Sequence, residues 1–155
     1  MKNGKLRIAL VESAIGFGGS LVSAASLLDG LNRNHFEPIL ILTRYSRHPF
    51  LSSMKTPKKC ISKPVLKWQA SFLNYFFSLI FSARLAIFCH THKIDLVHFN
   101  NGIAANFDEL FFTSTFTNLP LICHQRDVPW EGLKGHPLLN HVENRIHKFI
   151  AISQD

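Results

Sequence analysis

Apolar residues along the chain alternate between short continuous runs and longer segments with helical spacing. Continuous apolar runs are typical of strands covered on both faces, and spacings of three and four residues are typical of helices. The continuous runs occupy Ile8 to Val11, 38–43, 95–100, 120–125 and 148–153. The first helical segment begins at Ser20, and the other three cover 68–90, 104–118 and 137–147. Strands that alternate with helices favour parallel pairing through right-handed crossovers. The pattern predicts a single α/β domain over residues 1–155 with a doubly wound, mainly parallel sheet.

Composition and cysteine spacing narrow the class of protein. A chain of 155 residues with 46% hydrophobic content is long enough to build one substantial core. Three widely spaced cysteines without a C-x-x-C pair indicate neither a disulfide framework nor a zinc site. His90 and His92 lack companion ligands nearby, so no metal site is expected. Glu12 interrupts the first apolar run, which argues against a signal peptide and for a cytoplasmic protein.

The net charge of +7 is concentrated in one segment. Between Arg44 and Lys67 lie seven Lys or Arg and no acidic residue, and the rest of the chain is balanced. A solvated loop, a contact with anionic lipid headgroups, and a contact with phosphorylated substrates all remain open for this basic segment. Nucleic acid is not an expected partner, because few aromatic residues interleave with the basic ones and no nucleic-acid-binding motif is present.

The segment "WQASFLNYFFSLIFSARLAIFC" (68–89) is apolar around most of its predicted helix. Its polar residues form a thin uncharged stripe at helical spacing: Ser71, Asn74, Ser78 and Ser82. The uncharged window, 68–83, is slightly shorter than the roughly 20 residues that span a bilayer. A buried crossover helix, attachment to one face of a membrane, and a true span all remain open.

The glycine cluster in "ESAIGFGGS" (12–20) lies between the first strand and the first helix. Glycine there permits positive φ and close approach of a ligand, and the helix start offers free N–H groups to an anion. A tight turn that binds no ligand explains the three glycines equally well. The dinucleotide fingerprint fails because Leu21 stands at its third glycine, which disfavours an NADP-binding reductase that would use Arg44 for the adenosine phosphate.

Four segments together resemble a known family. They are "RIALVESAIGFGGSLVSAASLLDGLN", "IDLVHFNNG", "LPLICHQRD" and "KFIAISQD". Their order and spacing are similar to those of the amino-terminal domain of GT-B glycosyltransferases of the family-4-like group, over Leu6 to Asp155. The resemblance implies two Rossmann-like domains facing each other across a cleft. The carboxyl-terminal domain would hold the nucleotide-sugar donor, and this domain would contribute mainly the acceptor site.

The resemblance also implies a reaction. The expected activity is retaining transfer of a sugar from a nucleotide-sugar donor to a saccharide or lipid-linked acceptor, in the assembly of a surface polysaccharide or glycolipid. No metal or other cofactor is implied. The expected location is the cytoplasm; peripheral attachment to the inner face of the membrane, with an anionic surface as partner, stays open together with the role of 68–89. The sequence stops at Asp155 without the donor domain, so the chain is expected to be inactive alone. The alternative is a non-catalytic binding subunit or a degenerate fragment of a split glycosyltransferase.

Candidate site residues follow from the resemblance and from strand ends. The resemblance places the glycine loop against the donor diphosphate and the reacting sugar, and assigns contact with the transferred sugar to His124 as the catalytic residue. The candidate substrate-binding residues are Gly16, Gly18, Gly19, Ser20, His98, Asn100, Asn101, Arg126 and Asp127. Each candidate has a competing explanation. His98 and His124 could be hydrogen-bonded structural histidines, the two asparagines could close a turn, and Arg126 and Asp127 could form an ion pair with each other or a neighbour.

Overall fold

Strands and helices alternate along the chain in the computed structural model. The structure describes residues 4–13, 18–44, 49–64, 71–125, 133 and 135–151. Within these ranges the elements are β1 (Leu6–Glu12), α1 (Gly19–Gly30), β2 (Phe36–Leu42), α2 (Pro49–Ser53), β3 (Lys58–Cys60), α3 (Ser71–Thr91), β4 (Leu96–Phe99), α4 (Ile103–Phe116), β5 (Leu121–Gln125), α5 (Leu139–Arg145) and β6 (Ile146–Ala151).

The described strands form one parallel sheet in the order β3-β2-β1-β4-β5-β6. The chain builds outward from β1 to β3, then crosses through α3 to the other side of β1 and continues to β6. This reversal between β1 and β4 is the switch point of a doubly wound fold. The predicted α/β class and parallel sheet are therefore confirmed. We call the side of the sheet where the strands end the carboxyl edge, and the side where they begin the amino edge.

Two hydrophobic cores cover the two faces of the sheet, because successive strand residues point to opposite faces. On one face, Leu10 and Leu40 pack with Leu21 and Leu28 of α1 and with Leu51 of α2. On the other face, the strands pack against α3, α4 and α5. That larger core includes Ala9, Val11, Ile41, Phe81, Leu85, Phe99, Leu110, Cys123 and Val142.

The helix α3 is the crossover between β3 and β4, and it buries only its inner side. Phe81 and Leu85 are fully buried, whereas Phe72 is 79% and Ile87 is 64% exposed. By length and composition Phe72–Thr91 could cross a membrane, and only 33% of its most apolar window is buried. The expectation of a buried crossover helix is thus correct for one side of α3 and wrong for the other.

The described part of the basic segment is not one solvated loop. It contains α2 and the short edge strand β3, neither of which the pattern predicts, while Arg47 and Lys67 lie outside the described residues. Lys59 is exposed, but Lys63 forms an ion pair with the buried carboxylate of Glu109 on α4. Ser78 Oγ of α3 also donates to Glu109 Oε1 at 3.2 Å. Lys63 therefore joins the basic segment to the helices instead of contributing to a free basic surface.

Candidate functional site at the carboxyl edge

Polar side chains follow the ends of the two strands that meet at the switch point. β1 ends at Glu12, and β4 is followed directly by Asn100 and Asn101. Asn100 N donates to the carbonyl of Val11 at 3.0 Å, which fixes the two strand ends side by side. Ligands of doubly wound folds bind outside the carboxyl ends of the strands at this switch point. The candidate site is therefore this corner of the sheet.

The Glu12 carboxylate joins the polar side chains of the corner by hydrogen bonds. Its Oε2 accepts hydrogen bonds from Ser20 Oγ at 2.9 Å and from Asn100 Nδ2 at 2.5 Å, and its Oε1 accepts one from Asn101 Nδ2 at 2.7 Å. Glu12 is 2% exposed and Asn100 is fully buried, whereas Ser20 and Asn101 are partly exposed. Ser20 and Asn101 can therefore meet a ligand, with Glu12 and Asn100 holding them from behind.

The turn after β4 is held from two sides. Asn106 of α4 is buried, departs from helical geometry (φ −132°, ψ 24°), and donates through Nδ2 to the carbonyl of Asn101 at 2.9 Å. On the other side, Gln125 Oε1 accepts a hydrogen bond from Ile103 N at 3.3 Å. A Cβ added to Gly102 would lie 2.8 Å from Gln125 Oε1, so glycine lets the turn pass close to β5. These contacts fix the position of Asn101.

The histidines of β4 and β5 lie beside this corner. Leu10, His98 and Ile122 are register partners across β1, β4 and β5, so they share the sheet face that α1 covers. His124, two residues after Ile122, lies on the same face. The rings of His98 and His124 are stacked, with centroids 5.9 Å apart and planes at 26°. His98 is buried and His124 is partly exposed. His124 therefore borders the corner, roughly 10 Å or two strand spacings from β1.

The described glycines of the loop keep space open without needing special backbone angles. Gly18 has φ −163°, and neither Gly18 nor Gly19 has a positive φ, so the left-handed backbone that glycine permits is not used at these two residues. Among the described atoms, nothing lies within 4 Å of a Cβ added to either glycine. Both glycines therefore leave room next to Ser20. Gly16, Arg126 and Asp127 lie outside the described residues.

Cys123 lies under the site on the opposite sheet face, in the core with Val11 and Phe99. Burial raises the pKa of its thiol to about 12. The thiol therefore stays protonated, and its Sγ donates to the carbonyl of Asn101 at 3.6 Å. Cys123 supports the turn and is not a nucleophile, because nucleophilic cysteine reacts as the thiolate.

The residue that joins the corner together, Glu12, is not among the predicted site residues. The apolar pattern marks it only as the end of a run, although an acid directly after a buried strand obeys the same strand-end rule that identifies Asn100. Three of the predicted residues, Ser20, Asn100 and Asn101, meet in the network around Glu12. His98 and His124 stack next to it.

A cavity of about 570 Å³ lies elsewhere, at the amino edge. It is bounded by the residues that precede β4 and β5 and by the last turn of α3, including His90, Lys93, Asp95 and Thr117. Burial raises the pKa of Cys89 in its wall to about 12, so this thiol is also unreactive. The cavity lies on the side of the sheet away from the switch point.

Several solved structures are similar to the chain. MurG of Acinetobacter baumannii gives a TM-score of 0.67 at 12% identity, covering 97% of this chain and 42% of that chain. A glycosyltransferase of Rickettsia africae ESF-5 gives 0.64 at 17% identity, covering 96% and 37%. Anabaena Alr3699/HepE, solved in complex with UDP and glucose, gives 0.59 at 15% identity, covering 90% and 35%. The chain has the fold of a GT-B amino-terminal domain.

This GT-B amino-terminal fold confirms the resemblance inferred from the four sequence segments. The chain spans less than half the length of each of the three similar proteins. No protein-family model matches the sequence, and no curated protein is similar to it by sequence. The structural likeness therefore establishes the fold, and the activity has to be argued from the corner itself.

Proposed function

We propose that the chain is the acceptor-side half of a glycosyltransferase that moves a sugar from a nucleotide-sugar donor to a saccharide or lipid-linked acceptor. The observation that carries this proposal is the corner at the switch point. A hydroxyl, a carboxamide and an imidazole lie there at one edge of a GT-B amino-terminal fold, on Ser20, Asn101 and His124. Such groups can donate to and accept from the hydroxyls of a sugar.

The charge at the corner favours a neutral ligand next to Ser20. A helix start attracts anions, but the first turn of α1 already faces the Glu12 carboxylate through Ser20 Oγ. A phosphate at that point would meet a like charge. We therefore place sugar hydroxyls next to Ser20 and Asn101, and assign the phosphates of the donor to groups outside this network.

We assign the main functional role at this site to His124. Its ring is partly exposed and is backed by the stacked ring of buried His98, which limits its freedom to turn. A fixed imidazole at the rim can orient the sugar that is transferred by a hydrogen bond to one hydroxyl. Stabilisation of the departing nucleoside diphosphate belongs to a second, donor-binding half, so we expect little transfer by these 155 residues alone.

Saturation-transfer NMR with methyl α-glucoside tests the proposal on the chain itself. Glucose is the sugar in the HepE complex, which makes its glycoside a reasonable first probe. We expect saturation to reach the sugar ring protons in the wild-type chain and to fall at least about tenfold in His124→Ala, since a lost hydrogen bond of 1.4 kcal/mol or more is a tenfold change in affinity.

Two controls make this measurement decisive. His90→Ala removes an imidazole from the cavity at the amino edge and should leave the signal unchanged. UDP should show less saturation than the glucoside, because the nucleotide is expected to bind the donor half. Equal loss in the His90 and His124 variants, or binding of UDP without the glucoside, would overturn the proposed function.

A further inference from the structure

The outer side of α3 presents an exposed apolar stripe along the whole helix. Phe72, Phe76, Ile80 and Ile87 follow one another at helical spacing, and all four are exposed. Leu73 and Tyr75 widen the stripe at its amino-terminal end, where they are 46% and 42% exposed. Exposed apolar side chains on protein surfaces are usually scattered one by one. A continuous stripe on one helix therefore indicates a surface that a partner covers.

The segment of the sequence that contains the stripe carries charges of one sign. Residues 38–94 contain nine Lys or Arg and no Asp or Glu, although the chain has ten acidic residues elsewhere. Arg84 is exposed within the stripe, between Ile80 and Ile87. Lys59 of β3 is the register partner of Ile41, whose side chain lies in the α3 core, so Lys59 projects to the same side of the sheet as α3. The stripe is therefore flanked by cations.

We propose that the stripe docks on the surface of an anionic lipid bilayer, with α3 lying in the plane of the interface. The combination of exposed aromatic and aliphatic side chains with flanking Lys and Arg is the chemistry of interfacial helices. Arg84 fits this arrangement because its long side chain can reach the headgroups while its stem covers apolar surface. The stripe lies outside the carboxyl-edge corner, so this proposal does not depend on the proposed function.

The same helix does not span the bilayer. Its inner side is packed into the sheet through Phe81, Leu85 and Phe88, and its Ser78 and Ser82 hydroxyls bond Glu109 of α4. Lipid all around α3 would require these contacts to break. One-sided attachment keeps the fold intact and covers the apolar stripe.

Vesicle flotation of the full chain tests the proposal. The probes are vesicles of phosphatidylcholine alone and vesicles with roughly one-third phosphatidylglycerol, the anionic lipid. We expect the chain to float with the anionic vesicles, and Phe72→Ser/Phe76→Ser/Ile87→Ser to lose at least about tenfold in partitioning. Val22→Ser/Leu27→Ser changes exposed apolar residues of α1, on the opposite face of the sheet, and should float like the wild type.

Charge reversal separates the anionic surface from a purely apolar contact. Lys59→Glu/Arg84→Glu should lower partitioning to the anionic vesicles by about tenfold or more. Lys5→Glu/Lys148→Glu makes the same change in net charge at exposed positions away from α3 and should have little effect. Circular dichroism of each variant confirms that it is folded.

Three results would overturn the proposal. One is a wild-type chain that stays with the unbound fraction on anionic vesicles. Another is a stripe variant that floats as well as the α1 control. The third is a dimer, found by light scattering, that the stripe substitutions dissociate while no vesicle binding occurs, because the stripe would then be covered by a second copy of the chain.

Discussion

Replacing Phe81 by alanine is expected to lower the free energy of unfolding by about 3–5 kcal/mol, the usual cost of a large core cavity. Phe81 is fully buried between α3 and the sheet, in the core that also holds Val11, Leu85 and Phe99. Truncation removes the ring and leaves a void that the neighbouring side chains fill only in part. Urea denaturation monitored by circular dichroism measures the change.

Phe72→Ala is the matched control, because it makes the same change on the same helix at a side chain that is 79% exposed. Its effect on the free energy of unfolding should stay within about 0.5 kcal/mol, as for most surface substitutions. Similar losses in the two variants would contradict the packing of α3 described above. They would also remove the basis for an outer stripe on that helix.

Glu12→Ala is expected to lower the free energy of unfolding by about 1–3 kcal/mol, because the buried amide of Asn100 loses a charged acceptor and the loss of a partner to a buried donor costs about that much. The substitution removes the acceptor of Ser20 Oγ, Asn100 Nδ2 and Asn101 Nδ2 together. The turn after β4 should loosen with it, so sugar binding at Asn101 should be lost as well. Urea denaturation and saturation transfer to methyl α-glucoside measure the two effects separately.

Glu37→Ala provides the comparison for Glu12. Glu37 forms an ion pair with Arg7 at 2.9 Å on the neighbouring strand, but both side chains are more than a third exposed. Exposed pairs of this kind contribute about 1 kcal/mol or less. A Glu12 variant that is no less stable than the Glu37 variant would show that the carboxylate does not hold the corner together.

The sequence pattern predicts the strands of the sheet centre because they are buried on both faces. Strands such as "RIALV" and "DLVHFN" carry apolar runs, which are typical of parallel strands covered on both faces. The edge strand β3 has the sequence Lys-Lys-Cys and therefore no apolar run. It is a strand because it pairs with β2; for example, Leu40 N donates to the carbonyl of Pro57 at 2.9 Å. Pairing of this kind depends on the folded sheet, so local sequence does not reveal it.

The candidate site, like the sheet, is predictable from the sequence only in part. The rule that ligands bind at strand ends identifies Asn100, Asn101, His98 and His124, and the resemblance gives His124 its role. The hydrogen bond that joins Ser20 to Asn101 spans 81 residues of sequence, and Glu12 contacts Asn101 across 89 residues. Such contacts arise from the order of the strands. Several members of the site are therefore predictable from the sequence, whereas the hydrogen bonds through Glu12 that connect them are not.

Amide chemical-shift mapping with methyl α-glucoside is the most direct test of the claim that sugar binds at the carboxyl edge. We predict that the largest shifts in ¹H–¹⁵N spectra occur at Gly18 to Leu21, at Asn100 to Ile103 and at His124. The amides that line the cavity at the amino edge, among them His90, Lys93 and Thr117, should stay in place. Shifts confined to that cavity, or no shifts at saturating sugar, would contradict the account.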